Sequence, residues 1–284
     1  MFSSSLPTRI FSPLMLTLMV TGLTFSSAFA LTPQENINLS QTPNQPIQER
    51  RTTLEVGGQH YNLTGNQAAW DGAYVRGSWK QNSKNVWNYE IVPTKRFNES
   101  GLFYSATLTR NFDANNYASL ALGSSQGGSY FPKLRVDAFM HHKLLEKRNL
   151  VINLGTTYYK AKDTHNDQTL HMGGTYYFEK PWIVETEWTH NNSKPGNIKA
   201  NYVSTAITYG KNKEGMLTVR YGKGKEAYQA IGESQTISSF YSNILSVNYR
   251  YWLADDMGVN MTAENYKNYL YKRRGVDVGF FKEF

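Results

Sequence analysis

Short segments in which apolar and polar residues alternate recur along the chain from Thr52 onward, and they limit the possible folds more than any other feature. In "NLVINLGTTYYK", Leu150 and Ile152 share one phase, while Asn153 and Thr157 share the other. Successive side chains of a β-strand point to opposite sides, so this pattern predicts strands with one apolar and one polar face. Helical spacing fits these segments poorly. We therefore expect an all-β chain.

Counting such segments gives about 14 candidate strands, with 12 or 16 as alternatives. In the first of them, the two glycines after Val56 allow a β-bulge that would reverse the phase of the strand. The candidates lie near residues 52–64, 73–82, 86–97, 102–112, 117–126, 132–144, 149–161, 169–179, 182–191, 199–210, 216–224, 239–252, 257–267 and 275–284.

Aromatic residues are numerous in a chain of low mean hydropathy, with 20 Tyr, 14 Phe and 6 Trp. A transmembrane β-barrel combines these properties, because its lipid-facing apolar residues alternate with polar lumen residues and its aromatics gather at the two interfaces. Lipid offers no hydrogen-bond partners, so a spanning sheet must close on itself. A secreted β-sandwich or soluble barrel is the alternative, but it would expose fewer large aromatics. We predict a transmembrane antiparallel up-and-down β-barrel over residues 52–284.

The N-terminal residues predict export from the cytoplasm. Arg9 precedes the apolar run "FSPLMLTLMVTGL", and small residues follow up to Ala30. This order is typical of a secretory signal peptide over residues 1–30, cleaved after Ala30. A transmembrane anchor is the alternative, but the run is short and contains Pro13 and Gly22. Residues 31–51 lack periodicity, which predicts a disordered periplasmic segment. We expect the protein in the cell outer membrane of a Gram-negative bacterium.

The links between the segments carry an orientation signal. Outer-membrane barrels have short periplasmic turns and longer outside loops, and an even number of strands returns both ends to the periplasm. The longer links are "NQAAWDG", "KDTHND", "NSKPGNI" and "KEAYQAIGESQTIS", and the links between them are short. The link around "QGGSYF" is an exception, since it is hardly longer than a turn although it falls on the outside.

Several classes of site are disfavoured. The chain has no cysteine, which excludes disulfides, thiolate nucleophiles and Cys-ligated metals. Its net charge of +8 is spread between acidic residues and shows no nucleic-acid-binding signature. His141 and His142 would point to opposite faces of a strand and could not share an ion. The "GKGK" of residues 222–225 lacks the strand–turn–helix context of a phosphate loop. We predict no cofactor, no metal and no nucleic-acid partner.

Several stretches resemble the YaiO family of outer-membrane β-barrel proteins. They are "GTTYYK" from Gly155, "GGTYYFEKPWIVETEWTH" from Gly173, "VRYGKGKEAY" from Val219 and "YSNILSVNYR" from Tyr241. The resemblance implies a membrane barrel and an outer-membrane location. It carries no catalytic residue to transfer. Similar barrels recur in exopolysaccharide secretion systems, so the resemblance also implies a link to surface polysaccharide.

The polar phase of the strands predicts what lines the lumen. A 14-stranded barrel has more interior than side chains fill, so we expect a wet or partly plugged lumen. One interpretation is a cross-strand network that stabilises the interior. Another is a path for a polar or anionic solute, guided by Arg135, Arg220 and Arg250. The expected lining residues are Arg76, Lys80, Asn88, Glu90, Arg135, Asp137, His141, Glu185, Glu187, Arg220, Arg250, Asn260, Glu264 and Asp277.

The leading hypothesis is a non-enzymatic barrel for passage or export of a polar substrate. A lipid- or glycan-modifying enzyme is a first alternative, with His171, His190, Ser204 and Glu187 as candidates for nucleophilic chemistry. Glu185 lies two residues from Glu187 on one face, so this pair would not oppose each other across a scissile bond. A plugged structural or adhesive barrel is the second alternative.

The final segment, "RGVDVGFFKEF", predicts both the closing strand and an assembly signal. Val276, Val278 and Phe280 share the outward phase, with Phe284 at the periplasmic rim. Pairing with the first strand would remove the open edges. A terminal aromatic after such alternation resembles the signal by which the barrel assembly machinery captures the last strand. Further expected partners are outer-membrane lipids and lipopolysaccharide, with Lys223, Lys225 and Glu226 as charges at the base of the longest outside loop.

Overall fold

The computed structural model describes residues 52–179, 181–232 and 235–284. The signal peptide and periplasmic segment expected for residues 1–51 lie outside these ranges. The described chain forms 14 strands: β1 (Thr52–Leu63), β2 (Trp70–Lys80), β3 (Asn85–Arg96), β4 (Glu99–Asn111), β5 (Asn116–Gly127), β6 (Leu134–Leu144), β7 (Leu150–Lys160), β8 (Asn166–Tyr177), β9 (Trp182–Lys194), β10 (Ile198–Lys211), β11 (Gly215–Gly232), β12 (Gln235–Ala254), β13 (Met257–Lys267) and β14 (Lys272–Glu283).

These strands form one closed antiparallel barrel. Each strand pairs with its neighbours in sequence, and β1 pairs with β14 from Thr53 opposite Glu283 to Leu63 opposite Arg273. The prediction of an all-β, 14-stranded up-and-down barrel is confirmed. We call the end that carries Thr52 and Phe284 the terminal end, and the opposite end the far end.

The alternation in sequence becomes two chemically different faces of the wall. On β7, Leu154 is 54% exposed on the outside, while Thr157 is 2% exposed on the inside. The large exposed apolar residues of the other strands follow the same outward phase. A slip of one residue in any strand would exchange the two faces, so the pattern holds each strand in its register. The outer face is the apolar band that a membrane barrel presents to lipid.

Among the described residues, no helix has the length and apolar character needed to cross a membrane.

Two local predictions were wrong. The register of β1 runs without a break through Gly57 and Gly58, so the strand contains no bulge there. Gly57 instead makes room for the ring of Tyr74 on β2, since a Cβ at Gly57 would stand 2.2 Å from its nearest ring atom. The chain between Lys225 and Phe240, predicted mostly as the longest loop, extends β11 and β12 to 18 and 20 residues.

The predicted alternation of long and short links is also wrong. Excluding the β11–β12 hairpin tip, the links at both ends of the barrel are short, for example residues 64–69 at the far end and 145–149 at the terminal end. Residues that the sequence pattern placed in loops instead lengthen the strands or pack inside the barrel.

The last strand completes the wall next to β1. Val276, Val278 and Phe280 are exposed on the outer face, and Phe284 is exposed at the terminal end. The backbone N–H of Phe284 donates to the carbonyl of Thr52 at 2.8 Å, so the seam is hydrogen-bonded to its end. Their role as an assembly signal remains a prediction.

Candidate functional site

The inner face of the wall carries the charged residues that make up the candidate site. The structure places the side chains of Arg76, Arg135, Asp137, Glu185, Glu187, Arg220, Arg250, Glu264 and Asp277 on this face, buried or half-buried. They form hydrogen-bonded groups that join neighbouring strands. Within the described ranges, no cluster of His, Asp and Glu has the arrangement needed to hold a metal ion.

Glu55 is the centre of the first group. Its Oε1 accepts hydrogen bonds from Arg76 Nη2 at 3.0 Å, Tyr74 Oη at 3.1 Å and Asn260 Nδ2 at 3.3 Å. Its Oε2 accepts from Arg250 Nη1 at 3.3 Å. One buried carboxylate therefore lies between two guanidinium groups on β2 and β12. Glu55 was not among the predicted lining residues, because the bulge considered at the glycines of β1 left the phase of that strand open.

A second group crosses from β6 to β9. Asp137 accepts two hydrogen bonds from Arg135, at 2.7 Å from Nε and 2.8 Å from Nη2. The hydroxyl of Thr157 donates to Asp137 Oδ1 at 2.5 Å and lies 3.0 Å from His171 Nε2. His171 Nδ1 is 3.2 Å from Glu187 Oε1. The series of hydroxyl, imidazole and carboxylate looks like a catalytic triad and requires a closer test.

The direction of the hydrogen bonds made by Thr157 argues against a nucleophile in this group. The single hydroxyl proton of Thr157 is donated to Asp137, so the contact with His171 requires the ring to donate through Nε2. His171 therefore does not act as a base toward this hydroxyl, as an activated nucleophile requires. Both Thr157 and His171 are buried within the wall's side chains. This arrangement is better suited to joining strands than to catalysis.

The other predicted catalytic residues are not brought together as a triad. Ser204 lies opposite Glu187 in the β9–β10 register, next to the carboxylate and not to a histidine partner. His190 lies on the outer face, where its Nδ1 is 2.9 Å from Asn201 Oδ1. Glu185 contacts Arg220 with Oε2 3.4 Å from Nη2. As expected, Glu185 and Glu187 are neighbours on one face.

Two further acidic residues complete the network toward β13 and β14. Arg273 donates to Glu264, and both oxygens of Asp277 accept from the hydroxyl of Tyr61 at 2.9 Å. Each acidic residue in these groups thus has a hydrogen-bonded partner on another strand. This is the arrangement that makes burial of charged groups tolerable.

Aromatic side chains fill the far end of the lumen. The ring of Trp70 packs edge-on against Phe97 with centroids 5.2 Å apart. The guanidinium groups of Arg96 and Arg273 lie 4.6 Å and 4.5 Å from the Trp70 ring, in cation–π contact. The cluster comprises Tyr61, Trp70, Tyr74, Val92, Phe97, Phe103, Tyr130, Phe131, Tyr159, Ala161, Tyr228, Ile231, Ile237, Phe240, Tyr266 and Tyr271.

One contribution to this cluster comes from residues 128–133, which we call the inserted loop. Tyr130 and Phe131 are completely buried, and Tyr130 Oη donates to the carbonyl of Thr94 at 2.8 Å. The backbone N–H of Ser129 donates to Glu99 at 2.6 Å. The loop predicted to be hardly longer than a turn therefore folds into the barrel mouth instead of standing outside it.

A second contribution comes from residues 225–240, the extended hairpin of β11 and β12. Tyr228 Oη donates to Asp163 Oδ2 at 2.6 Å, and the Tyr228 ring stacks on His165 with centroids 3.8 Å apart. On the other side, Gln229 Nε2 donates to Tyr271 Oη at 2.6 Å. The hairpin thus contacts the β7–β8 and β13–β14 links, and it spans the mouth of the barrel.

The extension of β11 also changes the role of Glu226. This residue was predicted at the base of an outside loop, but it is buried on the inner face. It accepts hydrogen bonds from Ser242 and from Tyr266 Oη, the latter at 2.8 Å. The prediction was wrong because β11 continues beyond Glu226 as a strand.

Burial along β3 shows where space is left in the lumen. Arg96, Thr94 and Val92, toward the far end, are buried, whereas Glu90 and Asn88, toward the terminal end, are half-buried. Solvent therefore reaches the inner wall along the terminal half of β3, whereas Tyr117, Trp252 and Phe281 at the same end of the barrel are buried. The far half is closed by the aromatic cluster, so the lumen is partly plugged.

Known proteins of the same fold are membrane barrels. The monoaromatic hydrocarbon channel CymD matches with a TM-score of 0.57 at 6% identity, over 83% of this chain and 89% of that chain. A bacterial polysaccharide outer membrane secretin matches at 0.51 and 9% identity, over 83% and 99%. The translocator domain of autotransporter NalP from Neisseria meningitidis matches at 0.50 and 8% identity, over 83% and 89%. Such low identities establish the fold alone.

No curated protein matches the sequence. The family model described as the YaiO membrane beta barrel domain matches residues 51–229, which is more than half of the chain. The chain therefore belongs to the YaiO membrane β-barrel family, and it is an outer-membrane β-barrel.

Proposed function

We propose that the protein is a non-enzymatic outer-membrane channel for a polar solute, closed at rest by the extended hairpin and the inserted loop. The observation that best supports this is the difference between the wall and its closure. The wall is a continuous hydrogen-bonded cylinder with a polar interior. The closure depends on non-covalent contacts, and its polar contacts include Tyr228 with Asp163 and Gln229 with Tyr271 in the hairpin and Tyr130 with Thr94 in the inserted loop. Such contacts can be exchanged without breaking the barrel.

We place the far end at the cell surface. Thr52 and Phe284 share the terminal end, and a chain inserted from the periplasm leaves its ends on that side. In this orientation the half-buried polar positions face the periplasm, and the closure faces outward. The direction of travel that this supports is export from the periplasm through a gate at the surface.

Two of the three predicted guiding cations border the space in the lumen. Arg220 and Arg250 have 17% and 11% of their side-chain surface exposed. Arg135 is only 2% exposed and is held by two hydrogen bonds to Asp137. We therefore assign solute contact to Arg220 and Arg250, and a structural role to Arg135.

A polysaccharide is the first solute to test. The family resemblance implies such a link, and a polysaccharide secretin is among the proteins that share the fold. The polar, mixed-charge inner wall suits a hydroxyl-rich chain better than an apolar solute. Export of polysaccharide predicts that deleting the gene reduces the surface polymer, whereas an unchanged amount of every surface polymer would contradict this narrower proposal.

Single-channel recording in planar bilayers tests the gate. Replacing residues 228–238 by Asn-Gly would shorten the hairpin while keeping the Glu226 contacts, since Ala227 and Ser239 would then flank a two-residue turn. We expect mostly closed wild-type barrels and frequent openings of the shortened form. A shortened barrel that is folded but never conducts would refute the channel.

A milder pair of variants separates the gate from general damage. Tyr228→Phe removes only the hydroxyl that donates to Asp163. Tyr209→Phe makes the same change at an exposed residue on the outer face. Tyr228→Phe should raise the open fraction, and Tyr209→Phe should leave it unchanged. Equal effects of the two variants would mean that the hairpin contact does not control opening.

The proposal that the protein is not an enzyme can be tested separately. Glu187→Gln changes the carboxylate beside His171, and His190→Ala removes the outward histidine. Both variants should leave the lipid A and surface-glycan profiles of the cell unchanged. A changed profile in either variant, at normal protein level, would favour the enzyme alternative.

A further inference from the structure

The outer wall at the far end carries a group of basic residues that the proposed channel does not use. We call Lys223, Lys225, Lys267, Lys272 and Arg274 the basic patch. Lys223 lies opposite Asn243, Asn243 lies opposite Lys267, and Lys267 lies opposite Lys272, so these residues form one row across β11 to β14. Adjacent strands lie about 4.8 Å apart, which concentrates the charges on a small surface.

On the outer face of the described parts of β11 to β14, no acidic residue lies among these cations. On the described parts of β11 to β14, every glutamate and aspartate lies on the inner face or at a turn, and none lies among the outward positions. The four lysines make no ion pair with any described residue, and Arg274 Nε donates only to the amide oxygen of Asn265 at 3.0 Å. Like charges placed this close repel each other unless an anion is present.

The terminal end of the barrel is different. There Lys147 pairs with Glu179, Lys211 with Glu214 and Lys213 with Glu283. These three lysines therefore have their counter-ions within the protein. The row of Lys223, Lys267 and Lys272 has no such pairs with described residues, and it lies at the far end, which the proposed orientation places in the outer leaflet.

The patch also borders the lipid-facing surface. On the same outward face, the next residues toward the terminal end are Tyr221 after Lys223 and Val276 after Arg274, and both are exposed. Tyr241, which lies opposite Lys225, is also highly exposed. Basic side chains at the edge of an apolar band extend their charged groups to the level of the lipid headgroups. A ligand that contacts both surfaces must carry anionic headgroups and acyl chains.

We propose that the basic patch binds the phosphate groups of an anionic glycolipid in the outer leaflet, with the acyl chains against the apolar face of β11 to β14. The lysines and Arg274 supply the positive charge, and arginine can donate two parallel hydrogen bonds to one phosphate. This inference rests on the orientation of the barrel and not on channel activity. A barrel that never conducts would leave it standing.

Binding of lipid A to the purified barrel tests the proposal. The barrel in a non-ionic detergent is titrated with lipid A that carries both phosphates, and native mass spectrometry follows the bound lipid. Each basic residue near an anionic surface contributes about a fivefold change in affinity, so Lys267→Gln with Lys272→Gln should weaken binding about 30-fold. Both positions are exposed, so these substitutions leave the fold unchanged.

A matched control makes the same charge change on another part of the wall. Lys95 on β3 and Lys160 on β7 are exposed at the far end but lie outside the patch. The double variant Lys95→Gln with Lys160→Gln should bind lipid A almost as tightly as the wild-type barrel does. An equal loss in the two double variants would overturn the site, because net charge alone would then explain binding.

Two ligand controls identify what is recognised. Lipid A without phosphates should bind the wild-type barrel weakly, and equal binding would refute phosphate recognition. A phosphorylated disaccharide without acyl chains should also bind weakly. If it bound as tightly as lipid A, the patch would be a site for a soluble phosphate, and the lipid proposal would be wrong.

Discussion

Replacing Asp137 by Asn tests whether the charged groups of the wall are held in a dry environment. The side chains of Arg135 and Asp137 are only 2% and 4% exposed, and three hydrogen bonds converge on the carboxylate. The Asn side chain keeps the shape but removes the negative charge, so the Arg135 guanidinium is left buried without its counter-ion. Breaking a buried ion pair in this way costs about 3–5 kcal/mol. We expect the free energy of unfolding to fall by that amount.

Equilibrium urea unfolding in lipid vesicles, followed by tryptophan fluorescence, measures the loss. Heat-modifiable gel mobility gives the folded fraction independently. Glu179→Gln is the matched control, because it changes a carboxylate to an amide in a pair whose side chains are 67% and 76% exposed. An exposed pair contributes only about 0–1 kcal/mol, so this variant should unfold almost as the wild type does.

A loss below about 1 kcal/mol for Asp137→Asn would refute the reasoning. Water would then reach Arg135 and solvate it, and the inner wall would be wet along β6. A double variant, Arg135→Met with Asp137→Leu, gives a second test. Replacing both charges by apolar residues of similar volume should recover most of the stability, since neither side chain then needs a partner.

Three further changes probe other parts of the molecule. Phe284→Ala should reduce the amount of barrel in the outer membrane more than its urea stability after refolding, and normal levels in fractionated cells would contradict the assembly role. Gly155→Ala should cost about 1–3 kcal/mol in unfolding experiments, because its Cβ would stand 2.1 Å from the Phe139 ring; an unchanged stability would mean that the ring moves freely. Burial raises the pKa of Asp163, but the hydrogen bonds from Tyr228 and His165 outweigh it and keep this pKa below its usual range. A lowered pKa means that the contact stabilises the closure above about pH 4 and loses this effect as the pH falls further. The open fraction should therefore rise in acid. An open fraction that stays constant down to the pH at which the barrel unfolds would count against this contact.

The barrel itself was predictable because its main signal is local. Alternation of residues such as Leu154 and Thr157 reports which face each side chain takes, and lipid permits only closed sheets. The same alternation indicated which charged residues would face inward. It could not indicate their partners, since those depend on contacts between distant segments. Glu55 and Arg250 are 195 residues apart in sequence and meet because the seam closes.

The closure of the lumen was not predictable for a related reason. Gly232 and the polar residues around it are typical of a loop, and the short link before Phe131 is typical of a turn. Tyr228 and Phe131 become buried only because a barrel mouth of the right width lies beside them. Local propensity cannot report this, because the burial comes from tertiary packing.

The two-sided wall also determines where the chain tolerates a change in length. Deleting one residue within a strand would exchange lipid and lumen environments for every residue as far as the next turn, while deleting two would preserve them. The barrel has two described register shifts between neighbouring strands, at Ile231 and Leu253, and both lie next to a hairpin turn. Natural insertions and deletions within the family should therefore occur in pairs inside strands and singly only beside turns.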